Sequence, residues 1–395
     1  MKSIKIELQT AILRILQTAV LTILFLVMPL VTWSAQAQSV TIPEITTEPV
    51  VLGQKTLIWL REGGDDIIPQ RPFNFPDLTG QANVLDDWHM QTSTDDWDLL
   101  VSTAGNFHRF LNAFNRQVYL PANPVVDDGQ WGYSTSPPIS IEQLDNGGRL
   151  TFGNMVIRGI PMVVMGPNGI MNGVIAGSYN DGEQAKILSN FGNVLLVRAG
   201  NPKNIQDIWD LGRQGVRVVT SNPETEPGSF GNYSSSVFNI AFREVEAATG
   251  DIELAETQAS ILFNRVFNPR RNRRRKKWVV GDRIHHRDVP QALANGEADV
   301  GLFFYHLAQT AIEANPGLFE IVPLGGTVEN PEPLLGNRVA TMQAIRIAGD
   351  WTPQQVINRD NFYSAITDPV ANSALLTRYW VREPVTTGNN QPPLP

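Results

Sequence analysis

The sequence of 395 residues contains no cysteine. This absence excludes a disulfide framework, thiolate zinc sites, cysteine nucleophiles and lipid attachment at an N-terminal cysteine. The sequence also lacks the G-x-S-x-G, H-E-x-x-H and G-x-x-x-x-G-K motifs, and it has no G-x-G-x-x-G at a strand–helix turn. We therefore expect a protein that is not an enzyme, with no catalytic residues and no cofactor.

Basic residues are outnumbered, with 31 Lys and Arg against 39 Asp and Glu, for a formal net charge of −8. The first 37 residues contain Lys2, Lys5, Arg14 and Glu7, so the rest of the chain is more acidic still. An acidic chain of this kind is not expected to bind nucleic acid.

Histidine is scarce, and its five positions are His89, His108, His285, His286 and His306. Neighbouring residues on a strand point to opposite faces, so the adjacent pair His285 and His286 would be a poor chelate there. We predict no metal site. The acidic pairs in "LDDWHM" and "STDDWD" are typical of solvated turns. The alternative is that they form a hydrolytic dyad, in which case the protein would be an exported enzyme.

The N-terminus has the pattern of an export signal. A basic start is followed by the apolar stretch "ILQTAVLTILFLVMPLVTW" and by small residues at Ala35 and Ala37. We predict a cleavable signal peptide over residues 1–37 and a periplasmic mature protein. The alternative is an uncleaved membrane anchor, because the apolar stretch approaches the length of a bilayer span.

Short apolar runs alternate with helical patterns after residue 50. The runs "DLLVSTAG", "GIPMVVMG", "NVLLVRAG", "GVRVVTS", "ADVGLFF" and "FEIVPL" are predicted strands, as is "TLIWL" at residues 56–60. The helix in "NYSSSVFNIAFREVEAATG" should end at Gly250, and the helix in "RDVPQALANG" should have Asp288 as N-cap and Gly296 as its end. This alternation predicts an α/β fold.

Two segments depart from the alternation. Residues 268–278 include seven basic residues between Arg270 and Lys277, and residues 383–395 are rich in Pro and Asn. The basic segment is predicted to be a solvated loop, with a docking surface for an acidic partner or for anionic lipid headgroups as the alternative. The last residues are predicted to be a disordered tail.

Small polar residues follow three of the predicted strands, just before helices begin. Such loops lie at the carboxyl ends of strands, where open α/β sheets bind ligands, and the unpaired N–H groups of a helix start suit a small anion. Ordinary N-capping uses the same residue types and remains the alternative. The candidate ligand-binding residues from these loops are Ser221, Thr225, Gly228, Ser229, Tyr305, Ser102 and Asn106, with Asn154 added from a further loop.

Three segments between residues 191 and 380 resemble periplasmic solute-binding proteins of ABC transporters, in particular the molybdate-binding type. They are "GNVLLVRAGNPKNIQDIWDLGRQGVRVVTSNPETEPGSFGNYSSSVF", "HHRDVPQALANGEADVGLFFYHLA" and "NFYSAITDPVANSALLTRYWV". The resemblance implies that the Tyr305 hydroxyl contacts a bound oxyanion and that the segment containing Pro223, Gly228 and Ser229 donates backbone amides to it. Tyr233 matches a further tyrosine of the family, either as a ligand contact or as core packing.

The resemblance also implies a two-lobed type II fold with mixed sheets flanked by helices and two crossing hinge strands, "NVLLVRAG" and a second near "NRVATMQAIRI". After a lead at 38–49, we place the first lobe at 50–195 and 335–382 and the second at 196–334. The implied function is capture of a small anionic solute by a monomer, for delivery to a membrane permease. A ligand-presenting sensor of the same fold is the alternative.

Overall fold

The computed structural model describes residues 40–45, 49–51, 87–89, 97–134, 139–152, 155–268, 277–281 and 284–385. Its strands form two six-stranded sheets and one two-stranded hairpin. In chain order they are β1 Val50–Val51, β2 Asp87–His89, β3 Leu99–Thr103, β4 Trp131–Ser134, β5 Arg149–Phe152, β6 Met155–Arg158, β7 Val163–Gly166, β8 Ala185–Ser189, β9 Asn193–Arg198, β10 Val218–Thr220, β11 Trp278–Val280, β12 Val300–Phe304, β13 Phe319–Pro323 and β14 Thr341–Arg346.

The helices are α1 His108–Ala113, α2 Leu120–Ala122, α3 Pro124–Asp127, α4 Ile141–Asp145, α5 Asn168–Ala176, α6 Pro227–Thr249, α7 Ile252–Phe267, α8 His285–Ala294, α9 Tyr305–Ala314, α10 Pro353–Ile366 and α11 Ser373–Arg378. A 3₁₀ turn, Gly105–Phe107, leads into α1, and a π-helical stretch, Phe114–Tyr119, follows it. A second 3₁₀ turn is Ile208–Gly212. Within the described residues, no helix is long and apolar enough to cross a membrane.

The first sheet has the strand order β2-β4-β3-β7-β14-β8. Its strand β3 is parallel to both β4 and β7, while its other pairs are antiparallel. All five residues of β3 are buried, and the aromatic rings of Phe114, Tyr119 and Tyr133 pack edge-on against Phe362 of α10. This sheet with its helices is called the first lobe.

The second sheet has the strand order β1-β11-β10-β12-β9-β13. The strands β1, β11, β10 and β12 run parallel, and β9 is antiparallel to both of its neighbours. Every residue of β10, β11 and β12 is buried, so these strands read as continuous apolar runs rather than alternating ones. This sheet with its helices is called the second lobe.

Two mixed sheets flanked by helices confirm the predicted α/β fold class. The sheet assignments differ from the predicted lobe boundaries at two places. Val50–Val51 pairs with Val279 and Val280 of the second sheet, and residues 193–195 pair with β12 in the same sheet. The predicted strand at 56–60, the signal peptide at 1–37, the core of the basic segment at 269–276 and the tail at 386–395 lie outside the described residues.

The prediction that "NVLLVRAG" crosses between the lobes is wrong. Both edges of β9 are hydrogen-bonded within the second sheet, to β12 and to β13, so it is an inner strand of one lobe. Within the described residues, the chain instead passes between the sheets at residues 190–192 and again at 324–340. A further passage, from β1 to β2, falls between residues 51 and 87, outside the described residues.

The two crossing segments are bonded to each other. The main-chain N–H of Asn190 donates to Ala340 O at 2.9 Å, and the Asn190 side chain accepts from the Ala340 N–H at 2.9 Å. Asn337 accepts from the Asn193 N–H and donates to the Asn193 carbonyl, both at 2.8 Å. Gly192 lies between them with φ +76°, and a Cβ there would be 3.0 Å from the Asn337 side chain.

Helix α8 begins four residues earlier than predicted. The predicted N-cap Asp288 lies inside the first turn, because the extended residue Ile284 is the cap and its carbonyl accepts from the N–H groups of Arg287 and Asp288. His285 and His286 are therefore helical and not on a strand, which overturns the premise that they face opposite sides of a sheet. The predicted end of α6 at Gly250, with φ 69°, is confirmed.

Candidate functional site

Three strand-to-helix loops meet where the two lobes touch. The Asn106 side-chain amide, after β3 of the first lobe, donates to Ser229 Oγ of α6 at 3.4 Å. The Asn106 carbonyl lies 2.7 Å from Nε2 of His306 on α9, so the imidazole donates to it. Both second-lobe partners stand at the starts of helices that follow β10 and β12. These contacts define the interlobe cleft, at the carboxyl ends of three strands.

The second-lobe loop between β10 and α6 forms one wall of the cleft. Asn222 shapes it, since its side chain accepts from the Glu224 N–H at 2.9 Å and donates to Gly281 O at 3.2 Å. Ser221 is buried, and its hydroxyl has no hydrogen-bond partner among the described residues. Thr225 is exposed, and no atom lies within 4 Å of the position that a Cβ on Gly228 would take.

The remaining candidate residues take other positions. The Tyr305 hydroxyl donates to Val328 O at 2.6 Å and accepts from the Gln309 amide at 2.9 Å, so it is engaged within the second lobe. Ser102 lies in β3, fully buried, and its hydroxyl accepts from the Ile139 N–H at 2.8 Å. Asn154 lies outside the described residues.

A carboxylate occupies the start of helix α8. Glu226, the residue before α6, accepts from the His285 main-chain N–H at 2.8 Å and lies 2.7 Å from His285 Nδ1. A negative group at this end of a helix is favoured by the unpaired N–H groups and by the helix dipole. Glu226 thus holds together two helix starts of the second lobe, those of α6 and α8.

Four buried histidines, His108, His285, His286 and His306, line the cleft and are called the histidine cluster. The ring of His286 lies 5.7 Å from that of His108 in the first lobe and 5.3 Å from that of His285. His306 stacks on Phe107 of the first lobe, with ring centroids 4.6 Å apart. The cluster therefore includes residues of both lobes.

Three rings of the cluster, those of His108, His286 and His306, are uncharged at neutral pH. Burial lowers the pKa of His108 to about 4 and the pKa of His306 to about 3. Burial also lowers the pKa of His286 well below its ordinary value, and positive charge on the neighbouring groups would lower it further. The pKa of the nearby Tyr233 is raised, first by burial and then by the negative charge of Glu226.

Several polar atoms around the cluster have no hydrogen-bond partner among the described residues. Since buried polar groups are normally paired, such a concentration of unpaired atoms is uncommon outside functional sites. These atoms are Nε2 of His285, both ring nitrogens of His286, Nδ1 of His306 and the Ser221 hydroxyl. Within the part of the chain that the structure describes, no three His, Asp or Glu side chains are grouped to hold a metal ion.

An ion-pair network closes one end of the cleft. Glu313 of α9 in the second lobe pairs with Arg109 of α1 at 2.6 Å and with Arg378 of α11 at 3.0 Å. The guanidinium group of Arg109 also lies over the rings of Tyr379 and Trp380, at 5.3 and 5.6 Å from their centroids. One carboxylate of the second lobe thus binds two cations of the first.

No sequence pattern selects the histidine cluster as a whole, although a signal for part of it is present. His108 and His306 come within two residues of the predicted candidates Asn106 and Tyr305. Glu226 was equally within the loop that the sequence singled out. Taking the residues adjacent to each candidate into account would have found all three.

Residues 161–346 match the family model of bacterial extracellular solute-binding proteins. This match confirms the resemblance to solute-binding proteins that the sequence motifs indicated. It covers β7 to β14, and so it includes the three second-lobe helix starts α6, α8 and α9.

Short stretches of the chain are similar to curated sulfate-binding proteins. One of 47 residues is 45% identical to the protein of Synechococcus elongatus, and one of 40 residues is 52% identical to that of Escherichia coli. They make up 12% and 10% of this chain, and the chain spans only 13% and 12% of the length of these relatives.

Solved structures of similar proteins include the sulfate-binding protein SubI from Mycobacterium tuberculosis H37Rv. It is 17% identical, with a TM-score of 0.49 over 72% of this chain and 86% of that one. The periplasmic molybdate-binding protein of Azotobacter vinelandii is 15% identical, with a TM-score of 0.38 over 73% and 100% of the two chains.

Proposed function

We propose that this protein captures a small oxyanion, of the sulfate or molybdate kind, in the interlobe cleft. It would act outside the cytoplasm and deliver the anion to the permease of an ABC transporter. The observation that carries the proposal is the meeting of Asn106 with Ser229 and His306, which brings the helix starts of two lobes to one point. Helix starts with neutral polar side chains can bind an anion without a lysine or arginine.

The proposed contacts are the hydroxyl groups of Ser221 and Ser229, the backbone amides near Gly228 and the side-chain amide of Asn106. Ser221 contributes most to this set, because its buried hydroxyl has no other partner among the described residues. The Tyr305 hydroxyl is left out because Val328 and Gln309 already bind it. The sulfate-binding relatives support an oxyanion as the solute.

Isothermal titration of the mature protein with sulfate, molybdate, tungstate and phosphate tests this proposal. Ser221→Ala should weaken binding of the preferred anion by roughly 5- to 150-fold, because a donor worth about 1–3 kcal/mol is removed. The same change should leave the melting temperature of the free protein unchanged or raise it, since an unpaired buried hydroxyl is lost. Ser364→Ala, at an exposed position of α10, is the matched control. Equal affinities of the two variants, or no binding of any of these anions, would reject the proposed site.

A further inference from the structure

The histidine cluster offers more ring nitrogens than the surrounding protein uses. His286 is 9% exposed, and neither of its ring nitrogens has a hydrogen-bond partner among the described residues. Nε2 of His285 and Nδ1 of His306 are also without a partner there, and both rings are buried. Leaving buried polar atoms unpaired costs stability, so an arrangement like this one is typical of a binding site.

The cluster lies where the anion is proposed to bind. His306 touches Asn106, and His285 touches Glu226, three residues before Ser229. Tyr233, one turn further along α6, has its ring 5.5 Å from that of His285. The unpaired nitrogens are thus carried by the starts of α8 and α9, and these contact the start of α6 and the loop after β3, which provide the proposed hydroxyl and amide contacts.

The charged and titratable groups around His286 come from four elements. On α8 itself they are His285, Arg287 and Asp288, and on α9 the nearest is His306. The first lobe contributes His108 and Arg109 on α1, and the chain around the start of α6 contributes Glu226 and Tyr233. Glu313 already binds Arg109, and the Glu226 carboxylate would repel an incoming anion. A doubly charged anion therefore enters a site where His108, His286 and His306 are neutral and where the nearby Glu226 carboxylate is negative.

We propose that anion capture is coupled to proton uptake, with His286 accepting a proton from the solvent as the anion binds. This inference rests on the proposed function and names His286 as a specificity-determining residue of the same site. The imidazole becomes an imidazolium with two N–H donors, which can bind the anion and offset the negative charge of Glu226. No other bond forms or breaks.

The physical cause is the change in the electrostatic surroundings of His286. In the free protein, burial and nearby positive groups hold its pKa low, so the ring is neutral. A dianion in contact with the ring favours the charged form and raises the pKa. By linkage, the anion then binds more tightly as the pH falls.

Titration with sodium sulfate over about pH 6 to pH 8 measures the coupling, because sulfate itself does not titrate in that range. Uptake of one proton predicts that Kd rises about tenfold for each pH unit. At one fixed pH, the heat of binding in Tris and in bis-Tris should differ by the difference in the ionisation heats of the two buffers. These cationic buffers do not compete as oxyanions.

His286→Gln keeps a side chain of similar reach that cannot be protonated, so its sulfate affinity should not depend on pH. His89→Gln changes the one histidine outside the cluster, on β2, and should retain the pH dependence of Kd of the unmodified protein. Sulfate binding with no buffer-dependent heat and no slope would overturn the proton coupling while leaving the proposed function in place. Absence of binding of sulfate, molybdate, tungstate and phosphate at every pH would overturn both. If His286→Gln fails to fold, the buffer comparison on the unmodified protein still decides the coupling.

Discussion

The two lobes contribute to the cleft by different means. The second lobe brings three regular helices, α6, α8 and α9, whose first turns carry Ser229, His285 and His306. The first lobe brings one irregular helical stretch, in which a 3₁₀ turn, α1 and a π-helical segment follow one another from Gly105 to Tyr119. The second lobe therefore holds most of the polar groups for the anion, and the first lobe closes over them with Asn106, Phe107 and Arg109.

The largest effect is expected from acid, which lowers the stability of both lobes because it protonates histidines on both sides of the cleft. His108 of the first lobe and His306 of the second are neutral when folded but would take up protons in the unfolded chain below pH 6.5. Their contribution to stability is therefore complete above pH 6.5. It is lost as the pH falls towards about 4 for His108 and about 3 for His306.

Urea unfolding of the anion-free protein between pH 7 and pH 5 should show this loss, at about 1.4 kcal/mol per histidine and pH unit. Exposed carboxylates contribute little in that window, so His306→Gln and His108→Gln should each make the pH dependence shallower than His89→Gln does. An unfolding free energy that is the same at pH 7 and pH 5 would contradict the prediction. If sulfate binding is coupled to proton uptake, saturating sulfate should reduce this loss of unfolding free energy at low pH.

The next largest effect is expected from the ion pairs that join the lobes. Glu313→Lys places a cation opposite Arg109 and Arg378, and like charges brought together at an interface cost several kcal/mol. The lobes should open, so that the radius of gyration from solution scattering increases and anion affinity falls tenfold or more. Glu256→Lys on α7 is the charge-matched control. A scattering curve identical to that of the control would show that Glu313 does not hold the lobes closed.

The smallest effect is expected from Tyr305→Phe, which tests whether the Tyr305 hydroxyl stabilises the second lobe or binds the anion. Tyr305→Phe removes the hydrogen bond to Val328 and should lower the unfolding free energy by about 0.5–1.5 kcal/mol, with anion affinity unchanged within about twofold. Tyr363→Phe in the first lobe removes an equivalent bond, to Glu183 O at 2.8 Å, and should behave alike. A tenfold loss of affinity in Tyr305→Phe alone would return this hydroxyl to the proposed contact set.

Much of the second lobe was predictable because its signals are local. The strands β9, β10 and β12 are uninterrupted apolar runs, and Gly250 ends α6 in the left-handed conformation that favours glycine. The start of α8 was not predictable, because Asp288 before Pro290 has the pattern of an N-cap. The Glu226 carboxylate that accepts from the His285 N–H is 59 residues away in the chain.

The site was predictable only in part, because its contacts join residues that are far apart in the chain. The loops with Asn106 and Ser229 were selected by residue type, and the structure brings them together across 123 residues. The histidine cluster depends on packing between α1, α8 and α9, which no short sequence pattern encodes. The irregular stretch from Gly105 to Tyr119 also has no local signal, and its residues Phe114 and Tyr119 pack against Phe362, which is distant in the chain.

The bonds between the two crossing segments set the mechanics of closure. Asn190 with Ala340, and Asn193 with Asn337, join the segments side by side into a narrow ribbon. A ribbon bends about the axis across its flat face more easily than it shears, because shear would break the bonds between its edges. We expect these bonds to limit relative motion of the lobes mainly to bending of the ribbon, a motion that would return Asn106 to the same two partners.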